Sequence, residues 1–215
     1  MLKDRLGGAV VIVDSGSIFH VNFIDVPVND AQLELLGDIS TLREVEFYNS
    51  GISDEGLRHL TKLQQLRTLM LKNEAITDAG LVHLKTLTEL EKLDLRYTRI
   101  RGDGLAHLRG LHKLESLQLN GTSISDDAII HISVLSSLKY LRLSGTNVTD
   151  KCIAHIRRLP KLQSLDLQGT AITDAGLREL SKMQSLTKLR ILFTDTSESG
   201  IKDFKAALPH CTVVH

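Results

Sequence analysis

Residues 66–81 read Leu66-Arg67-Thr68-Leu69-Met70-Leu71-Lys72-Asn73-Glu74-Ala75-Ile76-Thr77-Asp78-Ala79-Gly80-Leu81, and this stretch decides the fold. Two periodicities meet in it. From Leu66 to Leu71 the leucines fall as LxxLxL, so Leu69 and Leu71 share one face of a short strand while Thr68, Met70 and Lys72 share the other. Leu81, Leu84 and Leu87 follow at a spacing of three, which lays one apolar stripe along a short helix. Thr77 and Asp78 bring side-chain oxygens to the start of that helix, where the first backbone N–H groups lack partners. A strand and a helix of this size cannot bury their own leucines, so other units must be stacked against them.

Outward from this stretch the pattern repeats without a break. Leu42, Leu66, Leu90, Leu114, Leu138, Leu162 and Leu186 stand 24 residues apart, and Ile18 lies one step further upstream. The unit is LxxLxLxxxxI[ST]DxGLxxLxxL. Stacked strands lie about 4.8 Å apart, whereas helices are roughly 10 Å wide. The stack must therefore curve with its strands inside. The reading is an α/β solenoid with a parallel β-sheet on the concave face and short α-helices on the convex face. Position 80 calls for a small residue at a close approach, since Ala128 and Cys152 replace glycine there in later units.

This repeat resembles that of the leucine-rich-repeat family over residues 18 to about 209. The phrase Ile-Thr-Asp-Ala-Gly-Leu at 76–81 and 172–177 is similar to a bacterial, planctomycete-like subtype. The repeats of F-box adaptors are also similar, but they usually run longer and carry cysteine near the strand. The resemblance implies a right-handed horseshoe arc. One departure is the turn after the strand, where the family often stacks asparagines. This chain places Ser50, Glu74, Thr98, Thr122, Thr146, Thr170 and Thr194 there, and hydroxyls can satisfy turn backbone groups in their stead.

The whole chain, 1–215, is expected to form one repeat domain. Its parts are a cap strand in 1–17, a degenerate first unit in 18–41, seven units in 42–209 and a terminal strand in 210–215. Met1 to Leu6 read as the last turns of a helix closed by Gly7-Gly8, as in a piece of a longer protein. Ala9–Val13 and Ile18–Phe23 flank Asp14-Ser15-Gly16-Ser17, which predicts a β-hairpin and one antiparallel strand. Asp30 keeps the helix-cap position in the degenerate unit.

Composition narrows the function. Lys plus Arg and Asp plus Glu are 26 each, so the positive excess that nucleic acid or an anionic membrane requires is missing. No apolar run approaches the ~18 residues of a membrane span. Cys152 and Cys211 share no CxxC spacing, which fits reduced thiols in a cytoplasmic compartment. Neither cofactor nor metal is expected. His59, His83, His107, His131 and His155 recur at one helical position, but neighbouring helices are roughly 10 Å apart, too far to share an ion. These rings are expected to pack at the helix edge and bond a loop carbonyl. Arg101-Gly102-Asp103 spells an adhesion tripeptide at a helix-cap position, as chance often does. There is no GxSxG, HExxH or phosphate-cradling glycine loop, and Asp94 and Asp166 stand without an evident partner. Catalysis is therefore not expected.

The concave positions, by contrast, change from unit to unit. Tyr48, Met70, Lys72, Asp94, Arg96 and Tyr97 should cluster across three neighbouring strands, with Tyr140 and Arg142 beyond them. Tyrosine and arginine are the residues most enriched in binding hot spots. This points to a non-catalytic module that binds a protein partner through its concave sheet, Arg96 and Tyr97 being anchors separable from stability. The alternative is a structural or self-association domain, a monomer or weak homodimer joined through Val10–Val13 or Val213-Val214.

Overall fold

The computed structural model describes residues 9–14 and 16–215, so the expected helix in 1–6 and Ser15 of the hairpin loop lie outside the described residues. The described residues form a ten-stranded sheet whose strands lie in chain order. Strands β1 (Val10–Asp14) and β2 (Ser17–Ile24) make the predicted antiparallel hairpin. Its loop is tighter than expected, because Asp14 pairs directly with Ser17 and the register slips once between Ile12 and Val13. Strands β3 (Glu44–Tyr48), β4 (Thr68–Lys72), β5 (Lys92–Asp94), β6 (Ser116–Gln118), β7 (Tyr140–Arg142), β8 (Ser164–Asp166), β9 (Lys188–Arg190) and β10 (Thr212–Val214) then follow, each parallel to the one before. Glu44 lies beside Thr68, Thr68 beside Lys92, and the same step continues to Lys188 beside Thr212. The architecture is an open leucine-rich-repeat solenoid.

Alternation along the strands sends Val45 and Phe47, Leu69 and Leu71, Leu93 and Leu95 and their successors into the interior, where they are buried. The seven repeat leucines from Leu42 to Leu186 are fully buried as well. Each such side chain contributes about 1.5–3 kcal/mol on removal from water, and it gains this only when a neighbouring coil covers it. In the first coils Phe23 and Phe47 stack with ring centroids 5.1 Å apart.

The convex side mixes helix types where α-helix was predicted throughout. Asp30–Gly37, Asp126–Ile132, Asp174–Leu180 and Glu198–Ala207 are α-helical, whereas Asp78–Leu84 and Asp103–Leu108 are 3-10 helices. A leucine spacing of three is native to the 3-10 form and is tolerated by one or two α-turns, so the pattern does not separate them. The first helix is capped by Asn29, not Asp30: its side chain accepts from Gln32 N while Gln32 reaches back to Asn29 N.

The helix starts tie coil to coil. Thr77 Oγ1 accepts from Ala79 N in its own unit. The neighbouring aspartate, however, serves the following unit. Asp54 takes Thr77 N at 2.8 Å and the Thr77 hydroxyl; Asp126 does the same for Thr149, Asp150 for Thr173 and Asp174 for Ser197. Asp78 accepts Arg101 N, Gly102 N and Gly104 N, each at 2.9 Å. This brace accounts for the glycines at 80, 104, 176 and 200, although Cys152 stands at the same position beyond the Asp126 brace. A Cβ on Gly80 would stand 2.3 Å from Asp54 Oδ1, and one on Gly176 2.3 Å from Asp150 Oδ1. Where the aspartate is replaced by Gly102, the next unit carries Ala128, whose Cβ fills the freed space. Among the described residues, Arg101-Gly102-Asp103 is the coil in which this exchange occurs.

At the turn after each strand, Thr98, Thr122, Thr146, Thr170 and Thr194 donate to the carbonyls of Leu95, Leu119, Leu143, Leu167 and Ile191 at 2.6–2.7 Å. The hydroxyls close turns within their own coils, as a threonine ladder should. Main-chain bonds such as Arg99 N to Ile76 O (2.8 Å) join one turn to the next.

Gly104→Ala should destabilise the chain by about 2 kcal/mol, because its Cβ would meet the Asp78 backbone at 2.5–2.9 Å. Gly110→Ala has open space and should be neutral or stabilising by about 0.5 kcal/mol. Urea denaturation of the pair decides the matter, and equal midpoints would refute the brace.

Candidate functional site

The concave face is built from three residue rows that cross the strands. Register places Glu46, Met70, Asp94, Gln118, Arg142, Asp166 and Arg190 side by side along the middle row. Tyr48 lies beside Lys72, whose ammonium sits 4.5 Å from the centre of the tyrosine ring, a cation–π contact. Tyr140 and Arg142 project from β7 into solvent, with Tyr140 45% exposed. They stand two strands from Asp94, about 10 Å away, so the predicted residues fall into two groups.

Asp94 is only 2% exposed, and it is not unpartnered as its sequence context suggested. Arg96 grips it through Nε at 2.9 Å to both oxygens and through a terminal nitrogen at 2.6 Å. The Arg96 backbone N–H adds a further bond at 3.0 Å. Asp166 likewise takes the Gln168 N–H at 3.1 Å and lies 3.6 Å from Arg190. Two of the concave carboxylates are therefore internal braces, and much of the Arg96 fork is consumed by one of them.

Tyr97 lies on the rim with its ring against the Gly121 backbone, 2.5 Å from where a Cβ there would stand. It occupies a left-handed backbone position, φ +58°. Asp25, Asn49, Asn73, Gly121, Gly145, Gly169 and Phe193 take the same conformation at corresponding points of their own coils. Asparagine, aspartate and glycine suit that geometry, while a bulky side chain costs about 1–2 kcal/mol in it. Phe193 is 82% exposed, and the alternation along the strands does not point to it. The column of Asn49, Asn73 and the three glycines is the signal that could have found it.

Glu74 stands in the turn column where most coils have threonine, and it is 4% exposed. Its carboxylate accepts Ser50 N at 2.7 Å, Gly51 N at 2.9 Å and Ile52 N at 3.1 Å, all in the preceding coil. Burial pushes its carboxyl above the ordinary glutamate value, an effect these N–H groups only partly offset.

The histidines of the convex ladder do not bond loop carbonyls as expected. His131 Nδ1 meets Arg109 at 2.7 Å, and burial and that arginine lower its pKa. His59 accepts from Arg58 at 3.4 Å, and the buried His155 Nδ1 has no hydrogen-bond partner among the described residues. Among those residues no three His, Cys, Asp or Glu groups are placed to share a metal ion. Cys152 and Cys211 are buried free thiols; burial raises both, Cys211 to about 11. No helix of the described residues is long and apolar enough to cross a membrane.

Comparison with known proteins agrees with this geometry. Leucine-rich-repeat family models match residues 64–124 and 158–181. The structure of internalin C2 from Listeria monocytogenes is similar at 22% identity and a TM-score of 0.60, over 99% of this chain and 90% of that one. A plant peptide hormone receptor, RGFR1, solved in complex with RGF2, is similar at 14% identity and a TM-score of 0.62, over 95% of this chain and 36% of the receptor. At such identities the likeness establishes the fold alone. No curated protein matches the sequence.

Arg96→Ala should cost about 3 kcal/mol, since it strands a buried carboxylate. This lock bears on the expectation that Arg96 is separable from stability, whereas Tyr97 rests on Gly121 and is 55% exposed. Thermal unfolding that is unmoved by Arg96→Ala would contradict the brace. Glu74, its pKa raised in the folded state, binds its proton more tightly there than in the unfolded chain. Its contribution to stability is largest below the ordinary value of 4.5 and is lost as pH rises through the raised value. The stability of the native chain minus that of Glu74→Thr, followed by urea midpoints, should thus fall with rising pH. A flat or rising difference would show that burial is not the dominant influence.

Proposed function

We propose that this leucine-rich-repeat solenoid is a non-catalytic module that binds a protein partner on its concave sheet. Tyr48, Met70 and Lys72 form one contact group and Tyr140 and Arg142 the other. Asp94, Arg96 and Tyr97 make the firm ground between them. We also place its ITDAGL units in a bacterial subtype of the repeat. The observation that carries the reading is the contrast between two sets of positions on the same strands. Inward positions are leucine, isoleucine, valine or phenylalanine in coil after coil, whereas the outward positions from Glu44 to Arg190 differ at every step. A rigid support with a variable face is what selective binding requires, and an exposed tyrosine beside an exposed arginine is a suitable anchor. The receptor with the similar fold was solved with a peptide hormone, which lends support by analogy of fold.

A second reading, self-association, draws on β1, where Val10, Ile12 and Val13 are exposed on a strand that pairs only with β2 among the described residues. Light scattering over a concentration series separates the two, because a chain that stays monomeric rejects the second.

Tyr140→Ala with Arg142→Ala should weaken partner capture about tenfold or more and leave the unfolding midpoint unchanged. A photo-reactive residue at Tyr140 should cross-link to the same partner, while one at Ala154 on the convex side should not. Undiminished capture by the double variant would defeat the proposal.

A further inference from the structure

The concave sheet is electrically lopsided. On β3, Glu44 and Glu46 lie 3.5 and 3.7 Å from the His20 imidazole, and neither has a lysine or arginine within ion-pair distance among the described residues. Across the sheet Glu44 lies between His20 and Thr68 and Glu46 between Asn22 and Met70, so no lysine or arginine stands beside either in register. On β7 and β9 the balance reverses. Arg142, Lys188 and Arg190 stand against a single carboxylate, Asp166, which is already engaged by Gln168 N and Arg190. Arg142 and Lys188 are exposed, and neither has a carboxylate within ion-pair distance among the described residues. Between the two ends Asp94 and Arg96 neutralise one another and Lys72 lies over Tyr48. Lys72 and Lys92 carry positive charge further inward.

We infer that the occupant of this face is an extended polypeptide segment of opposite polarity, laid across the strands. Its acidic residues lie over Arg142 and Lys188, and its basic residues over Glu44 and Glu46. The inference rests on the protein-binding reading above and gives that partner its chemistry. Strand spacing sets the scale: β3 to β7 is about 19 Å and β3 to β9 about 29 Å. An extended chain advances ~3.4 Å per residue, so its two charge groups stand roughly six to eight residues apart. Complementary charge at both ends fixes which way the segment lies and speeds its capture, more than it adds affinity. A nucleic acid suits the face poorly. Its phosphates are negative along their whole length, so a strand reaching both ends would lie on Glu44 and Glu46, and the chain has no net positive charge to offset this.

Fluorescence anisotropy of the intact chain tests the assignment. The probe is a labelled peptide of about ten residues, lysines at one end and glutamates at the other, with serine between. The peptide should bind at low salt and weaken as salt is raised. Arg142→Glu with Lys188→Glu should weaken binding about tenfold or more, and Glu44→Gln with Glu46→Gln several-fold. Arg142→Gln with Lys188→Gln should also lose affinity, and it guards against a reversed pair that fails to fold. Equal binding by the native chain and by these variants would overturn the inference. So would tighter binding of an oligothymidylate. If no charged peptide binds while Tyr140→Ala with Arg142→Ala still abolishes capture, the charge pattern is rejected and the protein-binding reading survives.

Discussion

The carboxylates of Asp54, Asp78, Asp126, Asp150 and Asp174 reach forward into the following coil and hold the backbone where its helix begins. Much of the architecture depends on these bonds. Five coils, at Thr77, Arg101, Thr149, Thr173 and Ser197, receive at the helix start a hydrogen-bond acceptor that they do not themselves supply. The bond is short, charge-assisted and directional, so it sets the rotation of one coil upon the next more sharply than leucine packing alone. The glycines at 80, 104, 176 and 200 follow from it, because the carboxylate or its backbone stands where a side chain would be. The exchange of Gly102 and Ala128 shows the same space divided the other way.

With stacking secured along the helix starts and the buried leucines, the outer face of the sheet is left free to vary. Its side chains are not idle, however. Asp94 and Arg96 lock one another, Asp166 steadies β8 and β9, and the Tyr97 ring rests on Gly121. What remains available is Tyr140 and Arg142, the Tyr48–Lys72 pair and the uncompensated charges near either end.

The strands, their register and the residues on each face were legible because period-two alternation repeated at a constant interval leaves one solution. Leu69 and Leu71 could point only inward once Leu66 was aligned with its counterparts. The helix type was not legible, since a single apolar stripe over two turns satisfies both forms. Nor was the direction in which Asp78 serves: alignment places it at a helix start but cannot say whose N–H groups it takes. The locking of Asp94 by Arg96 needed side-chain reach, which spacing along a strand does not specify. Phe193 escaped notice for a simpler reason. Its column is set by a left-handed turn and not by hydrophobic alternation, and two large aromatic side chains stand there among asparagines, glycines and an aspartate.

The hairpin at the front of the sheet has a further consequence. Coils join through strands that all run one way, and β1 runs the other. A strand running with the coils would meet its outer edge in antiparallel register, not in the parallel register that joins coil to coil. The described sheet thus has two chemically unlike edges, one beside an antiparallel pair and one beside a parallel pair.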